Sequence, residues 1–347
     1  MGSMCAMTAN SFQGRRNRTG EIVALLRDPA NFPERPTTVD VRETHMAWVF
    51  LTDSYAYKLK KAVRFSYLDY STGAKRRAAC EAELRLNSRL SPWVYLGLVP
   101  VLADAANHLR LDGAEGAPVE WLVKMRRLPA ADFLENAIAN GRSTAQDLTP
   151  AAELLAEFFA AQPCEPQLPG DYTDDLRNTI RDDADAIAAT GHTRQAARAR
   201  DLARHLETYL NSRAELFADR AKRRIDGHGD LRPEHVALGP PPAVIDCIEF
   251  SRAFRLNDPV EELAFLHMEA TYLGDSTVGA VFLAPYRRVS GDAPSPELIA
   301  FYAAKRALLR AKLALWHIYG DIPDPERYVA RADAYLDVAE RFVSELQ

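Results

Sequence analysis

A short stretch with two acidic residues constrains most strongly what this chain can fold into. Residues 225–238 read Ile-Asp-Gly-His-Gly-Asp-Leu-Arg-Pro-Glu-His-Val-Ala-Leu, and a second apolar segment soon after it ends in Asp246. The glycines and the proline around Asp230 favour a tight loop between two short strands. Two carboxylates on adjacent loops can share a metal-bound phosphate, so this pattern predicts a catalytic loop pair.

Composition sets the class of protein. The 347 residues are 47% hydrophobic and 26% charged, as expected for a globular enzyme with two domains or lobes. A net charge of −5 argues against binding nucleic acid through bulk electrostatics. Four scattered cysteines without a Cys-x-x-Cys pair favour reduced thiols in the cytoplasm. No apolar run reaches the roughly 18 residues that span a bilayer, so we expect no membrane segment.

The first third of the chain is predicted to form a small sheet. Residues 37–61 have the pattern of two strands and a hairpin, and the last strand alternates tyrosine with lysine. Because strand side chains alternate between faces, Lys58 and Lys60 point the same way. Residues 100–111 and 119–125 have the pattern of two more strands, which gives five in all.

One main helix is expected within this sheet region. Residues 72–90 are helical in pattern and offer Glu81 and Glu83. The sequence has neither a Gly-x-Gly-x-x-Gly motif before the hairpin nor a Gly-x-x-x-x-Gly-Lys-Ser/Thr motif anywhere, so no glycine-rich phosphate loop is predicted. The last strand ends near Met125 and runs into Pro129, where we expect the first lobe to end.

Beyond residue 130 the chain is predicted to be helical almost throughout. Helix starts have the form of a capping residue, a proline and then an acid. Three such starts are Asp258-Pro259, Ser295-Pro296 and Asp324-Pro325. Thr149-Pro150 and Thr193 are also read as starts, and Gly274 and Gly320 as stops. We find no internal repeat.

Several of these segments resemble the aminoglycoside phosphotransferase-like family, in an uncharacterised bacterial branch. The segments are Thr44-His45, Tyr57-Lys58-Leu59-Lys60-Lys61, residues 83–87, the His-Gly-Asp-Leu loop and residues 245–250, all in the family's order. The resemblance implies an α+β, protein-kinase-like fold of two lobes. It implies a tail with a short helix over residues 1–36, a small five-stranded antiparallel lobe with one main helix over 37–128, and a larger helical lobe over 129–347.

The resemblance also implies an activity and its residues. The expected reaction moves the γ-phosphoryl group of ATP, or GTP, to a hydroxyl of a sugar, aminoglycoside or amino alcohol, with Mg²⁺ or Mn²⁺. In this pattern Asp230 is the base and Asp246 holds the metal ion. Lys58, or Lys60 one register away, grips the phosphates, and Glu83 is favoured over Glu81 as its partner. By position, Thr44 and His45 lie in the phosphate-covering turn and Met125 lies in the adenine hinge.

Position 235 departs from the family pattern. The family usually has Asn five residues after the base, and this chain has His235. An amide oxygen suits Mg²⁺, whereas imidazole suits Zn, Mn or Fe. His235 therefore binds a softer metal, acts through a water, or marks a lost metal site. Arg232 either neutralises phosphoryl charge and grips an anionic substrate, or pairs with Glu234 or Asp226.

Two other functions remain open from the sequence. One is a nucleotide-binding pseudokinase that lost transfer activity together with the Asn. The other is a metal-dependent phosphohydrolase built on His228, Asp230, His235 and Asp246. The hydrolase leaves the lysine hairpin unexplained. The sequence does not identify the acceptor or the oligomeric state.

Overall fold

The computed structural model describes residues 18–317 and 324–346, in two compact units. The first unit combines the chain up to Glu81 with Leu96–Arg127, and the second combines Ala82–Tyr95 with Leu128–Gln347. Residues 1–17 of the predicted tail and the helix stop predicted at Gly320 lie outside the described residues.

The first unit is built on a six-stranded sheet. Helix α1 (Thr19–Arg27) comes before it, and α2 (Gly73–Asn87) begins in this unit. The strands are β1 (Asp40–Glu43), β2 (Ala47–Leu51), β3 (Tyr55–Lys60), β4 (Arg64–Phe65), β5 (Leu68–Asp69), β6 (Tyr95–Ala103), β7 (Leu109–Leu111) and β8 (Ala117–Arg126). Their order in the sheet is β1-β2-β3-β8-β6-β7, and β4 and β5 form a separate ribbon. The pairs β1–β2, β2–β3, β3–β8 and β6–β7 are antiparallel.

The alternation predicted for β3 agrees with the packing of the sheet. Tyr57 and Leu59 are buried in a cluster with Phe50 of β2, Leu122 of β8 and Leu26 of α1. Lys58 and Lys60 alternate with these two residues along β3, so their side chains project from the opposite face of the strand. The hydrophobic face anchors β3 as a central strand, with β2 and β8 on either side.

The sheet has one strand more than the five predicted. The segment expected to be one strand, residues 100–111, is split between β6 and β7 by a turn at Asp104. The Asp104 carboxylate accepts hydrogen bonds from the backbone N–H groups of Ala106 and His108, both at 2.8 Å. Asn107 has a φ of 68°, which asparagine tolerates better than most residues. The sequence Asp-Ala-Ala-Asn-His therefore forms a turn by side-chain capping, without glycine or proline.

The second unit is mainly helical. Its helices are α3 (Leu134–Ala139), α4 (Ala145–Ala161), α5 (Pro169–Ala189), α6 (Thr193–Ser212), α7 (Ala214–Arg220), α8 (Arg252–Arg255), α9 (Pro259–Tyr272), α10 (Val278–Ser290), α11 (Pro296–Trp316) and α12 (Pro325–Val343). Helix α11 packs against α5, α6, α9 and α12 in one large apolar core. Among the helices of residues 18–317 and 324–346, none combines the length and the apolar character that crossing a membrane requires.

Most of the helix starts predicted from the sequence are confirmed. The side chains of Asp258, Ser295 and Asp324 each accept a hydrogen bond from a backbone N–H in the first turn of the helix that follows. The start predicted at Thr149 is wrong. Helix α4 begins at Ala145, capped by Thr144, and continues through Pro150. The earlier start places Leu148, which is fully buried, on the helix face that packs into the core, and this burial outweighs the cost of an internal proline.

Two short ribbons interrupt the helices and carry the loop pair. Strand β9 (Ile225–Asp226) pairs with β12 (Leu256–Asn257), and β10 (Val236–Ala237) pairs with β11 (Ala243–Val244), both antiparallel. The first loop, residues 227–235, therefore runs from β9 to β10, and the second, residues 245–250, follows β11. Both loops lie in the second unit.

Candidate active site

The two loops bring four predicted residues, Asp230, Arg232, His235 and Asp246, together. His235 Nδ1 lies 2.8 Å from the backbone oxygen of Asp230, and His235 Nε2 lies 3.7 Å from Asp246 Oδ2. Arg232 donates a hydrogen bond to Asp230 Oδ2 at 2.8 Å. His235 thus lies between the two carboxylates whose proximity the sequence predicted.

A buried carboxylate from α9 fixes the backbone of the first loop. Glu262 Oε1 accepts hydrogen bonds from the N–H groups of His228 and Gly229, both at 2.8 Å, and Oε2 accepts from His228 at 3.0 Å. Burial raises the pKa of Glu262, and these N–H donors oppose that shift. A Cβ atom at Gly227 would lie 2.4 Å from Glu262 Oε1, so a side chain there would push the carboxylate away from the loop N–H groups. Glu262 therefore fixes the backbone of the loop, and the Asp230 side chain takes no part in these hydrogen bonds.

His228 holds the two loops together as a neutral imidazole. Its Nε2 donates to the backbone oxygen of Ile245 at 2.9 Å, and its Nδ1 accepts from the N–H of Asp230 at 3.3 Å. The acceptor is a carbonyl, so the proton must be on Nε2. Full burial lowers the pKa of His228 to about 4. His228 thus links the loop of Asp230 to the loop of Asp246 without adding charge.

We expect the stability of the second unit to fall as the pH drops from about 6.5 to about 4. In that range the unfolded chain protonates His228, whose pKa there is ordinary, while the folded chain does not. The free energy of unfolding should therefore decrease with falling pH, by up to about 3 kcal/mol from this residue. Denaturant unfolding across this range measures it.

His228→Gln is the matched variant, because an amide can donate to Ile245 and accept from Asp230 but does not titrate in this range. Carboxylates contribute to acid destabilisation in both proteins, so the difference between the two pH profiles isolates the histidine. Identical slopes for the wild type and the variant would contradict a neutral, buried His228.

Asp230 is held in its ionised form. Burial opposes ionisation of Asp230. Nearby positive groups, above all the Arg232 guanidinium, outweigh the effect of burial and lower the pKa of Asp230 to about 2. Arg232 also contacts the Glu234 carboxylate, so one of the partners expected from the sequence is confirmed. The other, Asp226, pairs instead with Arg255 at 2.7 Å.

Asp246 lies at a strained position at the end of β11. Its φ of 63° is unusual for a residue other than glycine, and such strain is often found at functional sites. Its N–H donates to the Tyr95 hydroxyl at 3.1 Å, and the next N–H, of Cys247, donates to Asn87 Oδ1 at 2.9 Å. These bonds hold the unusual turn and leave the carboxylate side chain 44% exposed.

A half-exposed carboxylate oxygen is a suitable ligand for Mg²⁺, and the metal-binding role of Asp246 stays a prediction. Within residues 18–317 and 324–346, no group of three or more His, Cys, Asp or Glu side chains is arranged to hold a metal ion by itself.

Arg89, which the sequence did not single out, supports the first loop. It donates to the backbone oxygens of Asp226 at 2.8 Å and Gly227 at 2.9 Å. Arg310, whose charge helps to lower the pKa of Asp230, pairs with Glu269 at 2.6 Å, and the Tyr335 hydroxyl donates to the same carboxylate at 3.0 Å. Burial raises the pKa of Glu269, and Arg310 opposes that shift. Lone arginines and glutamates on helices look like solvated residues in a sequence, so no pattern marked them.

The remaining predicted residues lie elsewhere, and their roles stay predictions. Lys58, Lys60 and Met125 belong to the sheet of the first unit, where Ala56 of β3 pairs with Met125 of β8 and both are buried. Lys60 Nζ lies 5.2 Å from the centre of the Tyr70 ring and is 3% exposed, whereas Lys58 is half-buried.

Two further predicted positions are the β1–β2 turn and α2. The Thr44 hydroxyl accepts from the Ala47 N–H at 3.0 Å, so the turn already uses it. His45 follows Thr44 in the same turn and is exposed. Glu83 is fully buried on α2, in the part of that helix that belongs to the second unit.

The chain is similar to curated proteins of mycobacteria and to several solved structures. No family model matches the chain. An uncharacterized protein of Mycobacterium tuberculosis is 33% identical over 282 residues, which cover 79% of this chain and 54% of that protein. The chain thus spans about half the length of the curated relatives it matches.

Two of these solved structures are kinases of small molecules. A spectinomycin phosphotransferase in complex with ADP and spectinomycin matches with a TM-score of 0.55 at 12% identity, covering 93% of this chain and 98% of that one. An ethanolamine kinase of Plasmodium vivax matches with a TM-score of 0.50 at 9% identity, covering 89% and 84%. At such low identity these matches show the fold alone. The expected α+β, protein-kinase-like fold is thereby confirmed.

Proposed function

Because the chain has the fold of a spectinomycin phosphotransferase and an ethanolamine kinase, we propose that it is an ATP-dependent phosphotransferase. It moves the γ-phosphoryl group of ATP to a hydroxyl group of a small molecule. The loop pair is the observation that carries this proposal. Asp230 is ionised and lies on a loop whose backbone is fixed, and His235 lies between it and the half-exposed Asp246. Phosphoryl transfer depends on positioning and charge neutralisation, and a rigid loop pair supplies both.

Asp230 is the catalytic base in this proposal. Its carboxylate orients the acceptor hydroxyl and receives the hydroxyl proton as the new O–P bond forms. A carboxylate whose pKa is about 2 is a weak base, so the proton moves late, when the attacking oxygen has become acidic. This order suits a loose transition state, in which the leaving O–P bond breaks ahead of bond formation.

Asp246 holds Mg²⁺ in this proposal. A bound ion would supply positive charge that offsets the negative charge building up on the leaving group. The hydrogen bonds from the backbone at Asp246 and Cys247 fix the direction of the carboxylate, and that orientation is the contribution of this chain.

The sheet of the first unit binds the nucleotide in this proposal. The paired residues Ala56 and Met125 form an apolar patch suited to an adenine ring, and Lys58 projects from the same face of β3 two residues further on. We favour Lys58 over Lys60 as the phosphate ligand, since Lys60 Nζ already lies over the Tyr70 ring. Glu83 is proposed as the partner of the lysine, and Thr44 and His45 as part of the turn that covers the phosphates.

Calorimetric titration of the purified chain with ATP tests the proposal first. We expect ATP to bind with a clear heat signal when Mg²⁺ is present and at least about tenfold more weakly when the metal is chelated, because Asp246 contacts the nucleotide through the ion. The same samples, incubated with a panel of sugars, aminoglycosides and amino alcohols, should form ADP with at least one acceptor.

Each negative result has its own meaning. Failure to bind ATP under either condition would contradict the proposal outright. Binding without ADP formation, across acceptors that carry primary and secondary hydroxyls, would favour the nucleotide-binding pseudokinase. Phosphate release from simple phosphate esters without ATP would favour the hydrolase.

A further inference from the structure

The guanidinium of Arg232 lies at the centre of the polar groups around Asp230. One terminal nitrogen donates to Asp230 Oδ2 at 2.8 Å and lies 3.3 Å from His235 Nε2. The other contacts the Glu234 carboxylate. One guanidinium therefore contacts Asp230, Glu234 and His235, the residue that stands where the family has asparagine.

The hydrogens of His235 can be assigned from its neighbours. Its Nδ1 faces the backbone oxygen of Asp230 at 2.8 Å, and a carbonyl can only accept, so Nδ1 carries a proton. Its Nε2 faces a guanidinium nitrogen, which can only donate. Nε2 must therefore be the acceptor, and its lone pair is directed at Arg232. A metal ion on His235 would have to displace a positive group that is already there.

The guanidinium is also held in place. The Arg232 side chain is 14% exposed, and its buried Nε has no hydrogen-bond partner among residues 18–317 and 324–346. Burying that nitrogen unsatisfied costs free energy, which the structure offsets through the contacts with Asp230 and Glu234. Moving the guanidinium aside would remove the one positive group that contacts both carboxylates in the ion pairs of the described chain. The arrangement is thus a fixed cation rather than an adaptable side chain.

We infer that Arg232 takes the place of a second divalent cation, so that the site holds one metal ion, at Asp246, together with the nucleotide. This inference rests on the proposed function. It selects one of the three roles left open for His235, namely the lost metal site, and gives the histidine a new purpose as a hydrogen-bond acceptor that orients Arg232. A guanidinium cannot lose its proton, so the charge at this position does not depend on metal concentration.

Counting bound Mn²⁺ tests this inference without measuring activity. Mn²⁺ is titrated into the protein saturated with a non-hydrolysable ATP analogue, and bound ions are counted by electron paramagnetic resonance. We expect one Mn²⁺ per protein–nucleotide complex. In Arg232→Met, the side chains of Asp230, Glu234 and His235 lose their cation, and we expect the count to rise to two.

Two further variants protect the test. Arg232→Lys keeps a positive charge, so its count should stay at one. In His235→Asn, Arg232 remains paired with both carboxylates, so its count should also stay at one even though the family's amide is restored. Two ions in the wild type would overturn the inference, whether or not Arg232→Met folds. Failure of the analogue to bind would instead contradict the proposed function.

Discussion

Replacing Asp230 by Asn should lower kcat for ADP formation by about 10²–10⁴-fold, the usual contribution of a general base. The amide cannot receive the acceptor's proton, but its oxygen can still accept a hydrogen bond from Arg232. The loop should keep its shape, because its backbone is held by Glu262 and not by Asp230. The affinity for ATP, measured by calorimetry, should therefore stay within about twofold of the wild type, because in the proposed role the Asp230 side chain contacts the acceptor and not the nucleotide.

Asp219→Asn is the control for Asp230→Asn. Asp219 is an exposed carboxylate on α7, and it pairs with Lys222 at 2.8 Å. Its replacement makes the same chemical change at a solvated position, so turnover should not change. Full turnover by Asp230→Asn would exclude Asp230 as the base, and equal losses in both variants would point to a general effect of charge.

The largest loss of stability is expected from Arg220→Ala. Arg220 on α7 donates two hydrogen bonds to Asp258, both at 2.6 Å, and a third to Asp292 at 2.7 Å. All three residues are buried, and the Tyr302 and Tyr286 hydroxyls also donate to the two carboxylates. Truncating the arginine removes the positive group that contacts both buried carboxylates, and leaves Asp292 only the distant, half-exposed Arg223 at 3.9 Å. We expect a loss of about 3–5 kcal/mol in the free energy of unfolding.

Arg181→Ala is the matched control for this loss. Arg181 makes the same kind of two-pronged contact with Glu207, at 2.7 and 2.6 Å, but its side chain is 54% exposed. Solvent screens that pair, so its loss should cost about 0–1 kcal/mol. Denaturant unfolding measures the free energy lost in each variant. Because the two arginines contact their carboxylates in a similar way, the difference between the two losses reports the effect of burial. Equal costs would contradict the idea that the buried arginine is essential because its partners cannot be solvated.

The buried arginine also matters for the site. Asp258 caps α9 by accepting from the Val260 N–H at 2.9 Å, and α9 carries Glu262 one turn further on. Arg220 therefore fixes the end of the helix from which the loop of Asp230 is held. Damage at Arg220 should reach the active site through the position of Glu262, although Arg220 itself contacts neither loop residue 228 nor 229 in the hydrogen bonds of the described chain.

Local patterns allowed much of the fold to be predicted. The cap, proline and acid at Asp258, Ser295 and Asp324 marked helix starts because the capping bonds involve neighbouring residues only. The wrong start at Thr149 has the opposite cause. There the burial of Leu148 in the core of the second unit, which no local pattern reports, extended the helix past the expected boundary. The split of residues 100–111 was missed because the turn depends on side-chain capping by Asp104.

The candidate site divides in the same way. Asp230 and Asp246 could be predicted because their loops have a recognisable sequence, and the structure brings their loops together. The roles of Arg89 and Glu269 could not be predicted, because each depends on a contact between residues far apart in the chain. The arrangement around His235 lay between these cases. The substitution was visible in the sequence, but its meaning depended on where the Arg232 guanidinium lies.

Because Gly227 and Glu262 are in contact, the residue that is acceptable at one of these positions depends on the residue at the other. The carboxylate oxygen of Glu262 occupies the space where a side chain at residue 227 would begin. An alanine at 227 becomes sterically acceptable only after the acid at 262 is shortened, and a shortened acid leaves a gap that a methyl group would fill. Among homologues that keep this loop, the two positions are therefore expected to covary, with each single change less fit than the pair.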